Sequence, residues 1–156
     1  MQISLTAINV IQAMLAPGLM ISACGLLILA MNNKYSMVVG RIRLLNEERR
    51  RLGSAQPGDE RQRARLESLA FQLAELLRRL RLVRNAVVGY LSAVALFIMS
   101  SLFIALRILA GWPEAAALIL FIAGVLAALV GVFFAASEAM LGYRIVLMET
   151  GGKAGR

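Results

Sequence analysis

Long apolar runs in this chain are separated by one long charged run. The blocks 8–31, 86–106 and 115–136 are apolar around the whole turn of a helix, and the charged stretch 34–84 lies between the first two. Each block is close to the ~20 residues that cross a ~30 Å hydrocarbon core. A helix buried in a soluble core seldom stays apolar on every face for so long. The pattern predicts three transmembrane helices. Inside the charged stretch, Leu66, Leu69, Leu73, Leu76, Leu80, Val83 and Val87 alternate spacings of three and four. That is a heptad seam, and it runs without a break into the second apolar block. Val38, Ile42, Leu45 and Leu52 keep a looser version of the same spacing, with Arg49 at the skipped position.

Residues 53–58 (Gly-Ser-Ala-Gln-Pro-Gly) form a turn signal, and Asp59 followed by Gln62 makes a capping-box pattern for the helix behind it. The expected architecture is an all-α integral membrane protein. Three transmembrane helices carry a cytoplasmic helical hairpin, a coiled-coil-like arm, between spans one and two. In chain order this gives a pre-span or interfacial helix over 1–16, span one over 17–33 and the hairpin over 34–84. Span two over 85–106, a short outer loop over 107–112, span three over 113–137 and a cytoplasmic tail over 138–156 follow. At 1.5 Å per residue the second arm helix would project on the order of 35 Å.

Several junctions carry local signals. Pro17-Gly18 predicts a bend, with Pro17 opening the true span. The tetrad Ile21-Ser22-Ala23-Cys24 has the form of a lipoprotein cleavage box, but no Lys or Arg precedes Lys34 and the chain stays apolar beyond Cys24. Cys24 is therefore read as a small buried residue. Asn32, Asn33, Lys34 and Tyr35 mark the membrane exit without stopping the helix, so span one should continue into the arm. Pro113, with Glu114 beside it, suits the first turn of span three. Span three holds a small-residue stripe, Ala123, Ala127, Gly131, Ala135 and Ala139, which should let backbones approach closely.

Composition sharpens this picture. The 156 residues are 60% hydrophobic, and the mean hydropathy is +0.74. Seventeen Lys and Arg against nine Asp and Glu leave a net charge of +8. All but four of those cations lie between the first two spans; Arg144, Lys153 and Arg156 follow the third, and Arg107 alone faces the other way. That asymmetry puts the N-terminus outside and the arm and C-terminus inside. Lys34, Arg41, Arg43, Arg78, Arg79, Arg81 and Arg84 form a basic collar at the inner leaflet, where anionic headgroups are the expected partner. Nucleic acid is not expected, since the arm holds one aromatic, Phe71, and no recognised motif.

Candidate chemistry is sparse. The chain has no histidine and a single cysteine, which removes the commonest general base and any multi-cysteine metal cage. No catalytic set, cofactor or metal is expected. Glu138 lies near the inner end of span three, where a carboxylate is costly and often marks an ion path. Ser22, Ser100 and Ser101 could join it on such a path. The structural alternative is an interface anchor paired with Arg84, Asn85 or Arg144 across neighbouring helices.

The run 16–27, Ala-Pro-Gly-Leu-Met-Ile-Ser-Ala-Cys-Gly-Leu-Leu, followed by Asn32-Asn33-Lys34 and Val38–Leu45, resembles the opening of a family of small bacterial membrane proteins. That family is catalogued as a domain of unknown function. The resemblance implies three inner-membrane spans and no assigned activity; Lys34 stands where arginine would be more usual. In topology alone, the order of spans and arm is similar to the larger subunit of energy-transducing proton-driven motors. Two functions follow as expectations. One is a non-enzymatic scaffold or accessory subunit, assembled as a homo-oligomer through the arm, with Leu66, Leu69, Leu73, Leu76, Leu80 and Val83 as the subunit seam, and through the small-residue stripe, or bound to another membrane protein. The other is an oligomeric ion or proton conduit with Glu138 on its path.

Overall fold

A computed structural model describes residues 2–54, 60–110 and 113–151. The described residues form three α-helices, α1 (Gln2–Ser54), α2 (Glu60–Ala110) and α3 (Glu114–Gly151). All three are long and apolar enough to cross a membrane, the qualifying segments being Met14–Gly53, Glu60–Arg107 and Ala115–Gly142. Span one continues without interruption into the charged stretch, as the lack of any stop signal after Met31 predicts. The same is true of the charged stretch and span two in α2.

Two sequence expectations are corrected. Pro17 does not open a helix: α1 runs straight through it, and its ring is buried. Proline removes one backbone donor, and this helix tolerates that loss in its interior instead of ending there. At the other junction α3 begins at Glu114, one residue after Pro113. The Pro113 carbonyl accepts the Ala116 N–H at 3.3 Å, so this proline sits just outside the first turn. The remainder of the turn after Ser54, the cap Asp59, Trp112 and the tail beyond Gly151 lie outside the described residues.

Apart from Leu73 and Ala128, the buried positions repeat every seven residues. In α1 they are Pro17, Cys24, Met31 and Val38. In α2 one set is Leu69, Val83, Tyr90 and Phe97, with Leu76 half-buried in the same register, and a second is Ala86, Ala93 and Ser100. In α3 they are Ala117, Gly124, Gly131 and Glu138. A seven-residue repeat is the pattern of helices packed side by side with a continuous inward seam. The small-residue stripe expected in α3 advances by four instead. Four residues turn a helix by about 400°, so such a stripe drifts some 40° per step. Its member Gly131 is buried, Ala123, Ala127 and Ala135 are half-buried, and Ala139 is exposed.

The chain divides into two compact units. One is drawn from Met1–Ala30 and Ala86–Phe133, the other from Met31–Asn85 and Phe134–Arg156. The core of the first is Cys24, Ala93, Phe97 and Ala128, with Met20, Ile21, Val94 and Phe121 packed around it. The Phe97 and Phe121 rings meet tilted, with centroids 5.5 Å apart. Glycines set the closeness of α2 and α3 here. A Cβ at Gly89 would stand 2.9 Å from the Gly131 Cα, and one at Gly124 would stand 2.7 Å from the Phe97 ring. Outside this core Leu19, Leu26, Leu91, Ile119, Leu126 and Phe133 are all more than half exposed, as side chains facing lipid would be.

The second unit takes the charged part of the chain. Leu69, Leu73 and Val83 of the α2 seam are buried in it, and Leu66, Leu76 and Leu80 are half-buried. The seam is thus occupied within a single subunit. Gln62, the second member of the capping-box pattern, ties α2 to the end of α1. Its Nε2 donates to the Leu52 carbonyl, one of the last carbonyls of α1 with no partner in its own helix. Arg65 adds two donors to Glu48 Oε1, at 3.0 and 2.7 Å.

Candidate functional site

Glu138 is the buried charge of the second unit, its side chain only 2% exposed. Helix periodicity puts it there. It stands seven residues after Gly131, two turns along α3 on the inward face. A carboxylate so placed needs charged partners, because an ionised group stripped of water is otherwise strongly disfavoured. Two supply that need. Lys34 Nζ on α1 donates to Oε2 at 2.9 Å, and Arg79 Nη2 on α2 donates to Oε1 at 2.7 Å. One carboxylate therefore joins all three helices, with each oxygen taken by a different one.

The described partners of Glu138, Lys34 and Arg79, are not among those expected, Arg84, Asn85 and Arg144. Arg84 is exposed, and the Arg144 side chain lies outside the described residues. Arg79 reaches Glu138 because it flanks the α2 seam, next to Leu80 and three residues after Leu76. Lys34 reaches it because it lies between Met31 and Val38 on the inward face of α1. Gly142, one turn after Glu138, keeps the space clear. A Cβ there would stand 3.0 Å from Arg79 Nη2 and 3.5 Å from its Cζ. Arg79 Nε is buried without a hydrogen-bond partner among the described residues.

A family model matches residues 14–148, most of the chain. The chain belongs to the family described as "Protein of unknown function (DUF2721)". No curated protein and no solved structure matches it. The family assignment agrees with the resemblance carried by residues 16–45 and assigns no activity.

In this DUF2721 chain the serines expected beside Glu138 have local employment. Ser22 donates to the Gly18 carbonyl at 3.2 Å on its own helix and is exposed. Ser100 is buried and donates across to the Ala117 carbonyl at 2.9 Å. Ser101 is half-buried. Both Ser22 and Ser100 belong to the first unit, whereas Glu138 belongs to the second. Cys24 is buried at 2% exposure among Ala93, Phe97 and Ala128, as its apolar flanks suggested.

The basic collar splits in two. Lys34 and Arg79 turn inward onto Glu138, while Arg41, Arg43, Arg78, Arg81 and Arg84 are exposed. A cleft of about 420 Å³ opens beside the inward pair, walled by Met37, Val38, Arg41, Leu76 and Ala139. Sequence reading found Glu138 and placed all three cations in the collar, but it did not bring them to one point. The signal was there in the seven-residue spacing of Cys24, Met31 and Val38, which makes α1 an inward-facing helix with Lys34 on its seam.

Proposed function

We propose that this protein is a non-enzymatic, multi-pass inner-membrane protein that serves as a self-assembling scaffold or accessory subunit, with residues 34–84 as a cytoplasmic helical hairpin. The observation that carries the reading is the outward side of the charged stretch. Leu44 and Phe71 are 70% and 75% exposed there, amid arginines and glutamates that give the stretch no lipid to face. Exposed large apolar side chains on a charged, water-facing element favour a protein contact. With Leu69 and Leu73 buried in the same chain, Leu44 and Phe71 are freer than the α2 seam to make that contact. Assembly through the arm therefore uses Leu44 and Phe71.

Glu138 supports the scaffold over a conduit. Both of its oxygens are occupied by cations, and Ser22 and Ser100 donate to backbone carbonyls. A proton carrier needs a carboxylate that can exchange partners, and this one is tied to two helices at once. The test is native mass spectrometry of the full chain gently extracted from its membrane. Identical copies that separate on Leu44→Glu with Phe71→Glu support a homo-oligomeric scaffold, and a stoichiometric second protein supports an accessory subunit. Monomers without a partner would refute both forms.

A further inference from the structure

We propose that the cleft beside Glu138 is a binding site for one phosphate-type anion, with Arg41, Lys34 and Arg79 as its ligands and Glu138 as the group that holds two of them in place. Charge is the first argument. Three cations, Lys34, Arg41 and Arg79, border the cleft and face a single carboxylate. Glu138 neutralises one positive charge of the two it touches, so the cluster keeps a surplus of two. Arg41 is exposed on the cleft wall, one helical turn from Met37 and two from Lys34.

Donor geometry is the second argument. Arg79 presents a planar fork of five N–H groups. Its Nη2 is committed to Glu138 Oε1, while its Nε is buried with no partner among the described residues. Arg79 lines the cleft with its side chain 26% exposed, and a phosphate oxygen is the acceptor that matches a guanidinium edge best. Gly142 leaves the guanidinium the room to lie where it does. The carboxylate is thus the fixed counter-charge that aims Arg79 and Lys34, and it leaves the anion itself to be supplied from outside.

The third argument is the wall. Met37 and Leu76 border the same cleft and give it an apolar side next to the cations. Phosphate beside an apolar surface is the chemistry of a phospholipid headgroup and the start of its glycerol, and a free phosphate would use the cations alone. The headgroup form rests on the membrane placement proposed above; the free-phosphate form does not.

Calorimetric titration of the detergent-solubilised full chain tests the site. The probes are short-chain phosphatidylglycerol, short-chain phosphatidylcholine and inorganic phosphate. Phosphatidylglycerol should bind once per chain, and Arg41→Gln should weaken it by about tenfold, the worth of one charge-assisted hydrogen bond. Arg84→Gln removes an exposed collar charge away from the cleft and should leave binding unchanged. Arg41 makes no contact on which the fold depends, so its variant reports on the site and not on folding. Saturable binding of inorganic phosphate with the same dependence on Arg41 also supports the site and identifies a free anion as its occupant. Equal losses from Arg41→Gln and Arg84→Gln would reduce the cleft to part of a diffuse collar and overturn the proposal. Absence of saturable binding by either phosphatidylglycerol or inorganic phosphate would overturn it as well.

Discussion

Lys34 Nζ lies 2.9 Å from Glu138 Oε2, although 104 residues separate the two along the chain. With Arg79 on the other oxygen, this contact closes α1, α2 and α3 around one buried charge. Packing of apolar side chains alone tolerates sliding by a turn, because one heptad layer resembles the next. A single buried carboxylate with two required partners does not. Its role in the second unit is to specify one register among several of similar apolar burial, as polar seam residues do in coiled coils.

Glu138→Gln should therefore destabilise the protein without altering ion flux. The cations are partly exposed, at 39% and 26% for Lys34 and Arg79. The loss should be nearer to about 2 kcal/mol, typical of one charged hydrogen bond, than to the cost of breaking a fully buried pair. Denaturant unfolding in detergent measures the first quantity and liposome flux the second. A changed flux with unchanged stability would point back to the conduit.

Gly89→Ala should be more damaging than its size suggests. The added carbon would stand 2.9 Å from the Gly131 Cα and 3.4 Å from the Ala127 carbonyl oxygen, so backbone must move. Overpacking of this kind costs about 1–3 kcal/mol. Gly40→Ala is the matched control, because nothing lies within 4 Å of its Cβ and alanine favours a helix interior by up to about 1 kcal/mol. Thermal unfolding of the two variants should move in opposite directions.

Three long helices were legible in the sequence because block length and apolar composition are local quantities. The α2 seam was legible for the same reason: Leu66 to Val83 display their spacing openly against charged neighbours. The α3 seam was not. When nearly every residue is apolar, the inward face is distinguished by size and not by polarity, so Gly124, Ala128 and Gly131 compete with an equally small stripe at Ala123, Ala127 and Ala135. The partners of Glu138 were hidden for another reason. Arginines at 78, 79, 81 and 84 are equivalent on paper, and the register between helices decides that Arg79 is the one that meets the carboxylate.

Burial also changes what seam variants should do. Leu73→Glu would place a carboxylate at a position only 6% exposed, at a cost of about 3 kcal/mol or more for an unpaired buried charge. The expected result is an unfolded or protease-sensitive 34–84 region, not a folded monomer. Phe71→Glu, at a position 75% exposed, should keep stability within about 0.5 kcal/mol. Limited proteolysis beside native mass spectrometry separates the two behaviours. Dissociation of a folded chain by Leu73→Glu would restore the seam as the subunit interface.

Orientation can be read with the single native cysteine as an internal control. Cys24 is 2% exposed and packed against Phe97 and Ala128, so a membrane-permeant maleimide should modify it only after unfolding. That silence lets Ala64→Cys, with Cys24 kept in place, report alone; Ala64 is exposed on α2 amid the arginines of the charged stretch. Moving so many guanidinium groups across a bilayer is opposed both by their hydration and by the potential of an energised inner membrane, at about 2.3 kcal/mol per charge per 100 mV. The stretch should therefore stay on the side where it was made. An impermeant maleimide should label Ala64→Cys in inverted vesicles and leave it untouched in intact spheroplasts. Labelling in spheroplasts would place the charged stretch outside and remove the inner leaflet as the source of any headgroup bound beside Glu138.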